Sequence, residues 1–194
     1  MFRKIALTLF VLIAVAAVAI FAIASTRPAQ YHVERSIVTD APPATVYAVL
    51  NDLHRFPEWS PWQKLDPAMK VTHSGPESGV GASYHWVGNK DVGEGRMTIT
   101  ESTPHASVVE KLEFIKPWAE TCDVHFTIAP EGAGSRVTWA MDGMNDTMGK
   151  VMSMFMNMDA MIGKDFEEGL GKLKSVTEAQ PVLPDTSITP ITAG

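Results

Sequence analysis

Two carboxylates, Glu110 and Asp159, occupy positions whose neighbours are apolar. Glu110 shares one face of an alternating segment with Val108, Leu112 and Phe114, and Asp159 falls at the centre of an apolar stripe if the helix around it is continuous. Two carboxyl groups close together in an apolar space cannot both ionise easily, so the pKa of one rises and that group can act as a general acid. A paired acid/base site is the sharpest catalytic hypothesis that the sequence offers.

The same groups also have non-catalytic interpretations. With the Tyr84 hydroxyl they could bind the polar end of an apolar ligand, because small-molecule sites are mostly apolar with a few placed polar groups. Asp159 could instead cap a second helix if the chain breaks near Asn157, which would remove it from the interior. We expect binding without catalysis, and Glu110 and Asp159 are weak candidates for a catalytic role.

Other catalytic chemistry has no support in the sequence. It contains no Ser-His-Asp nucleophile motif, no metal-ligand spacing and no glycine-rich phosphate loop. The six histidines are scattered over separate elements, and the single Cys122 cannot form an intramolecular disulfide bond. We therefore expect neither a metal ion nor a cofactor.

Seven segments show the two-residue period of antiparallel strands. The first covers residues 31–39, and the other six lie between residues 69 and 141, separated by turn residues at intervals of roughly ten. The alternation also assigns faces. The inward-facing side chains include Tyr84, Trp86, Met97, Ile99, Cys122, Val124, Phe126, Ile128, Val137, Trp139 and Met141.

A long helical pattern follows the strands, from residue 146 to residue 177. Its apolar side chains recur at steps of three and four, which predicts one face of a single α-helix packed on the sheet. The pattern is rich in methionine, whose flexible thioether suits either an irregular core or a surface that receives ligands of varied shape.

A curved sheet closed by one helix leaves an interior that side chains or a ligand must fill. The aromatic corner Phe56-Pro57-Glu58-Trp59-Ser60-Pro61-Trp62 adds two more rings to the inward-facing set. The predicted ligand-contacting residues are Trp59, Trp62, Tyr84, Trp86, Met97, Glu110, Leu112, Phe114, Phe126, Trp139, Met152, Phe155, Asp159 and Ile162. The alternative is that these side chains fill the interior completely.

The N-terminus has a different character from the rest. Residues 5–24, from Ile5 to Ala24, are uncharged, and as a helix they would be about 30 Å long, enough to cross the hydrocarbon core. We expect residues 1–25 to be a membrane anchor. The alternative is a cleaved signal peptide, because Ala22-Ile23-Ala24 has the small-x-small form of a cleavage site.

Charge distribution bears on orientation and partners. Arg3 and Lys4 precede the apolar run, so the positive-inside rule predicts a single-pass protein of the cell membrane with its C-terminal domain outside the cytoplasm, which is the periplasm in a Gram-negative cell. The other residues comprise 14 basic and 22 acidic side chains, a net charge of −8. This excess of negative charge argues against nucleic acid as a partner. The sequence does not predict an oligomeric state.

The remaining parts are short. Residues 26–30 form a linker containing Pro28, and residues 31–177 form the folded domain. Residues 178–194, with three prolines among threonines, have no period, which predicts a disordered tail.

The order of strand, short helices, six-strand meander and long C-terminal helix resembles the helix-grip fold, an α+β architecture in which a seven-stranded curved antiparallel sheet wraps the last helix. Four motifs stand out, namely Asp40-Ala41-Pro42-Pro43 through Val46-Tyr47, Phe56 to Trp62, Gly93-Glu94-Gly95-Arg96-Met97, and Met158-Asp159-Ala160-Met161-Ile162-Gly163-Lys164-Asp165-Phe166 with the residues up to Leu170. In these motifs the chain resembles the polyketide cyclase/dehydrase and lipid-transport group of the START/pollen-allergen-like superfamily, often called SRPBCC proteins.

The resemblance implies a deep hydrophobic cavity between sheet and helix, but no particular reaction. We therefore expect a membrane-anchored domain that binds a hydrophobic small molecule or lipid in that cavity. Two alternatives stay open. One is an enzyme of the cyclase/dehydrase or hydrolase type using Glu110 and Asp159, and the other is an envelope interaction protein with a filled core.

Overall fold

A computed structural model describes residues 2–180 of the chain. The predicted disordered tail lies outside this range, apart from Glu178, Ala179 and Gln180, where the last helix ends. The described residues form one sheet, five α-helices and two short 3-10 turns.

The sheet has seven antiparallel strands in the order β1-β7-β6-β5-β4-β3-β2, which confirms the predicted meander with its first strand added beside the last. Strand boundaries fall within a few residues of those expected from the two-residue period. The strands are β1 (Gln30–Thr39), β2 (Lys70–Ser74), β3 (Ser83–Val87), β4 (Glu94–Thr103), β5 (Ser107–Lys116), β6 (Glu120–Glu131) and β7 (Gly134–Met144).

The helices cover one face of this sheet or lie at its ends. Pro43 begins α2, where a missing N–H costs nothing because the first-turn amides have no helical acceptor. The helices are α1 (Phe2–Ser25), α2 (Pro43–Leu50), α3 (Phe56–Trp59), α4 (Thr147–Met152) and α5 (Met158–Glu178).

The expectation of one continuous helix over residues 146–177 is wrong, because two helices occupy this segment. Asp146 caps α4 by accepting a hydrogen bond from the Gly149 amide at 2.7 Å. Asn157 caps α5 by accepting one from the Ala160 amide at 3.0 Å, and its backbone is extended rather than helical. The chain between the two caps therefore changes direction.

The core lies between the concave face of the sheet and α5. Phe166 of α5 stacks on Trp139 of β7, with ring centroids 4.1 Å apart and planes 9° from parallel. Gly169 makes this approach possible, since a Cβ there would lie 2.7 Å from the Trp139 ring. Leu170 and Leu173 complete the buried face, and each contributes roughly 1.5–3 kcal/mol by burial.

Helix α1 leaves the domain immediately before β1. Within the described residues, Arg3–Ser25 is the one helix long and apolar enough to cross a membrane, a character that signal sequences share. Most of its side chains are exposed, but Ala24 is buried and Ile20 is partly covered. Helix α4 is the element that packs against α1.

Candidate functional site

A cavity of about 300 Å³ lies between the sheet, the aromatic corner around α3 and the first turns of α5. Most of the side chains around it are apolar or aromatic. They are Tyr31, Phe56, Ser60, Trp62, Met69, Tyr84, Trp86, Asp91, Val92, Met97, Glu110, Leu112, Phe114, Glu120, Val124, Phe126, Trp139, Met141, Met158, Ile162, Asp165 and Phe166.

Strand register brings the lining together. Met97 of β4 lies opposite Tyr84 of β3 on one side and Leu112 of β5 on the other. Directly opposite residues of an antiparallel pair share a face of the sheet. These three side chains therefore form a row across three strands, and Glu110, two residues before Leu112, points to the same face.

The position of Trp86 depends on a glycine in the next strand. Gly95 lies opposite Trp86, and a Cβ there would lie 2.4 Å from the indole ring. The register shifts between Glu94 and Gly95, which marks an irregularity of the bulge type. Trp86 also donates a hydrogen bond from Nε1 to the Val92 carbonyl at 3.1 Å. Its ring is thereby fixed over β4 at the cavity.

The aromatic corner closes the cavity on the side of α5. Trp62 donates from Nε1 to Asp165 Oδ2 at 3.3 Å. Its ring meets Trp139 edge to face, with centroids 5.9 Å apart and planes at 90°, a favoured geometry for aromatic pairs. Two aromatic side chains from separate elements therefore form one wall.

Glu110 is the buried carboxyl of this site. Its side chain is on the lining and the residue is only 3% exposed. Burial raises the pKa of the Glu110 carboxyl to about 8, because the charged form loses its hydration. At neutral pH this group is therefore mostly protonated, and a protonated carboxyl can donate a hydrogen bond as well as accept one.

Two further polar atoms of the lining are buried and lack a hydrogen-bond partner among the described residues. They are Tyr84 Oη and Trp139 Nε1. Burial raises the pKa of the Tyr84 hydroxyl to about 12, so it stays neutral. Unpaired buried polar atoms are rare in folded proteins because each costs free energy. Both atoms could form a hydrogen bond with a polar group placed in the cavity.

A polar edge lies where β1, β6 and β7 meet. The Tyr31 hydroxyl donates to Glu120 Oε1 at 2.7 Å and lies 3.0 Å from Cys122 Sγ. The Tyr31 ring crosses over Gly143, where a Cβ would lie 2.4 Å from the ring. Burial raises the pKa of the Cys122 thiol to about 11, so this thiol is not a reactive nucleophile.

Metal binding was not expected from the sequence. Across residues 2–180, no group of three or more His, Cys, Asp or Glu side chains is arranged to hold a metal ion.

Most of the predicted contact residues do reach the cavity. Their role in binding stays a prediction, but the placement of the strand residues among them matches the face assignments made from the two-residue period. Those on the lining are Trp62, Tyr84, Trp86, Met97, Glu110, Leu112, Phe114, Phe126, Trp139 and Ile162.

Asp159 is not on the lining, so the paired-carboxylate hypothesis has no structural basis. Arg35 donates to Asp159 from both terminal nitrogens, each at 3.1 Å. The Arg35 guanidinium also lowers the pKa of the Asp159 carboxyl, the opposite of what an acid catalyst needs. The physical reason is the helix break at Asn157, which places Asp159 in the exposed first turn of α5.

The predictions for Met152 and Phe155 are also wrong in placement, since neither is on the lining. Both lie before the Asn157 cap, so the change of chain direction takes them away from the sheet. Phe155 is 70% exposed. Trp59 fails for a different reason, because it lies deeper, packed edge to face against Phe126 and Trp139 rather than at the cavity.

Sequence reasoning missed several lining residues. Tyr31 is the second residue of β1, and Glu120 is the first residue of β6, where a two-residue period has too few members to assign a face. Asp165 lies one residue before the buried Phe166, outside the apolar period of α5. Only its contact with Trp62, from a distant segment, places it at the cavity.

The fold and the cavity define a helix-grip α+β domain with an apolar interior site. A family model described as polyketide cyclase / dehydrase and lipid transport matches residues 30–178, and the chain belongs to this family. No curated protein sequence matches the chain significantly.

Solved structures show the same fold at low sequence identity. Protein CV1439 from Chromobacterium violaceum is 16% identical, with a TM-score of 0.56 over 79% of this chain and 100% of that one. The Aha1 dimer from Colwellia psychrerythraea gives 17% identity and a TM-score of 0.55, over 77% of this chain and 97% of that one. The di-domain ARO/CYC BexL of the BE-7585A biosynthetic pathway is 16% identical, with a TM-score of 0.57 over 81% of this chain and 53% of that one.

Proposed function

We propose that the chain is a membrane-anchored protein whose domain binds a hydrophobic small molecule, or one segment of a lipid, between the sheet and α5. The observation that supports this proposal is the apolar cavity with three buried polar groups inside it, Tyr84, Glu110 and Trp139. An interior filled by side chains would leave no such space.

Cavity size limits the ligand. At roughly 30 Å³ for each non-hydrogen atom, the share that a water molecule has in the liquid, a cavity of about 300 Å³ accommodates on the order of ten such atoms. This is the lower end of the range for ligand pockets. A short chain or one or two rings fit, whereas a whole two-chain lipid would have to leave most of its length outside.

The polar groups limit the chemistry of the ligand. Trp139 Nε1 can only donate, and the neutral carboxyl of Glu110 and the Tyr84 hydroxyl can both donate and accept. A hydroxyl or carbonyl group would satisfy them. An anionic head group is disfavoured, because its desolvation would have no positive charge to offset it and it would repel any ionised Glu110.

Helix α1 supports the membrane part of the proposal, with the folded domain outside the cytoplasm as the charge pattern indicates. An uncleaved α1 would hold the domain close to lipid. The enzyme alternative loses its second carboxylate, since Asp159 binds Arg35 instead.

Quenching by a brominated ligand tests the binding proposal. Full-length protein in lipid nanodiscs would be titrated with 10-bromodecan-1-ol and, separately, with 10-bromodecanoate. We expect saturable quenching of tryptophan emission by the alcohol, because Trp62, Trp86 and Trp139 line the cavity. The carboxylate should bind more weakly.

Two matched substitutions serve as controls. Leu112→Phe adds volume on the lining, whereas Leu65→Phe changes an exposed side chain by the same amount. Loss of saturable quenching in Leu112→Phe but not in Leu65→Phe supports binding in the cavity. Non-saturating quenching that is equal in all three proteins would refute it.

A further inference from the structure

Large apolar side chains are exposed at one end of the domain. The segment from residue 147 to residue 156 has Lys150 as its only charged residue, and Met148, Met152 and Phe155 are all exposed within it. Met144, just before it, is exposed as well. Monomeric soluble proteins rarely expose contiguous apolar surface of this kind without a partner.

This surface adjoins α1. Helix α4 packs against α1, and the covered positions of α1 in its last turns are Ile20 and Ala24, which are four residues apart and so share a face. That interval spans about 6 Å along a helix axis. Helix α4 therefore lies level with the end of the apolar run rather than far beyond it.

A fifth exposed apolar side chain, Trp118, reaches the same end from a distant segment. The start of β6 lies beside the end of β7, because Asp123 pairs with Asp142, and β1 begins there because Gln30 pairs with Met144. The turn before β6 carries Trp118, which is 80% exposed. Tryptophan is enriched at membrane interfaces because its ring is apolar and its N–H is polar.

The cavity extends to this end too. Its lining includes Tyr31 at the start of β1, Glu120 at the start of β6 and Val92 in the turn between β3 and β4. This turn lies at the same end of the sheet as Trp118. Glu94, which follows the turn and pairs with Val87, also pairs with Lys116 of β5, and Trp118 comes two residues after Lys116. One end of the domain thus holds the α1 junction, the exposed apolar residues and part of the cavity lining.

We propose that this apolar end, formed by Trp118, Met144, Met148, Met152 and Phe155, inserts into the interfacial layer of the bilayer that holds α1, and that the cavity exchanges its ligand with lipid there. The inference rests on the anchorage and ligand binding proposed above. It adds a second contact with lipid, made by the folded domain itself in addition to the contact made by α1.

Depth-dependent quenching in vesicles tests the docking. Full-length variants Phe155→Cys, Trp118→Cys and Val80→Cys would be labelled with bimane and reconstituted into phosphatidylcholine vesicles containing doxyl-labelled lipid. Val80 is a matched control, since it is 57% exposed but lies in the loop between β2 and β3, at the opposite end of the sheet. The unmodified chain controls for labelling of Cys122, which is buried.

We expect a blue shift and loss of most bimane emission at positions 155 and 118, and neither change at position 80. Quenching should be stronger for doxyl groups near the head group than for those at the bilayer centre, because interfacial segments insert only about 5–10 Å.

The outcomes separate this inference from the anchorage. Protein that is stripped from the vesicles by alkaline carbonate would refute the anchor. Protein that floats with the vesicles but shows no quenching at either position would refute the docking alone. Protection of both positions from a water-soluble maleimide in native membranes, without lipid quenching in vesicles, would assign the surface to a protein partner and overturn the proposal.

Discussion

The two ends of the C-terminal helical segment have the same apolar spacing but opposite environments. From Phe166 onward in α5, Phe166, Leu170 and Leu173 are buried against the sheet and the aromatic corner. In α4 and the turn after it, Met148, Met152 and Phe155 are exposed. Apolar periodicity therefore identifies a helix face without identifying what covers that face.

A similar contrast separates the two carboxylates that the sequence placed on apolar faces. Glu110 is buried with a raised pKa, whereas Asp159 is exposed and binds Arg35. The difference follows from position. Glu110 is in the middle of an interior strand, and Asp159 is in the first turn of a helix, where solvent and a cation from β1 reach it.

A matched pair of phenylalanine truncations should give the largest contrast in stability. Phe166→Ala removes a ring stacked on Trp139 and should lower the free energy of unfolding by about 3–5 kcal/mol. Phe155→Ala should change it by less than about 0.5 kcal/mol in detergent, as for exposed sites generally. Urea unfolding followed by tryptophan emission measures both, because all five tryptophans lie in the domain. Equal losses would show that Phe155 is packed in the folded protein.

The free energy of unfolding should depend on pH in a way that reports the burial of the Glu110 carboxyl. Its pKa is raised from 4.5 to about 8, so between these values the unfolded state has released a proton that the folded state keeps. The free energy of unfolding should therefore fall as pH rises through this window, by up to about 1.4 kcal/mol per pH unit. Below pH 4.5 both states are protonated and the effect disappears.

The variant Glu110→Gln should remove that slope and be more stable than the natural chain at about pH 8, where the carboxyl would otherwise begin to ionise in the interior. Urea midpoints measured across the window between the two pKa values give the comparison. An unchanged slope in the variant would mean that another group titrates and that Glu110 is solvated.

Two glycines of α5 should respond in opposite directions to the same substitution. Gly169→Ala forces a Cβ into contact with Trp139 and should destabilise the domain by about 1–3 kcal/mol. A Cβ at Gly171 would meet no other atom within 4 Å among the described residues, so Gly171→Ala should stabilise the domain by up to about 1 kcal/mol through helix propensity. The same unfolding assay distinguishes them. Destabilisation by both would place a further element over Gly171.

The smallest effect is expected at Asp159. Its pKa is lowered by Arg35, so whatever it contributes is present at neutral pH and lost on acidification, the opposite direction from Glu110. The group is exposed, and Asp159→Asn should leave the urea midpoint unchanged within error. Hydrogen exchange should nevertheless become faster at Ala160 and Met161 in the first turn of α5. A large drop in the midpoint would show that the Arg35 contact holds α5 on the sheet.

The strands and their faces could be predicted from the sequence because successive side chains of a strand point to opposite faces. A shift of one residue would therefore move every apolar side chain to the wrong face. Buried Cys122, Val124, Phe126 and Ile128 in β6 confirm this. The helix break could not be predicted in the same way, since Met152, Phe155 and Met158 keep a spacing of three across it. The sequence marks Asn157 as a possible break, but only its backbone conformation and cap decide the outcome.

The site was predictable where one element determined it and unpredictable where two distant elements met. Trp86 and Leu112 follow from strand alternation, whereas Tyr31 and Asp165 reach the cavity only through contacts made across the fold. Phe155 shows the converse error. Its apolar character and spacing favour the interior, but Phe155 is exposed because it precedes the Asn157 cap, after which the chain packs on the sheet as α5.

Only residues 26–29 separate α1 from β1, and the Asn145 amide binds the Ala29 carbonyl at 2.7 Å, so part of even this segment is fixed to the domain. Four residues span at most about 14 Å when fully extended, less than half of a hydrocarbon core about 30 Å thick. If α1 spans the bilayer as proposed, the domain cannot travel from one membrane to another as a free carrier does. A hydrophobic molecule bound in the proposed site would then pass to an acceptor that comes to the domain, or return to the leaflet from which it came.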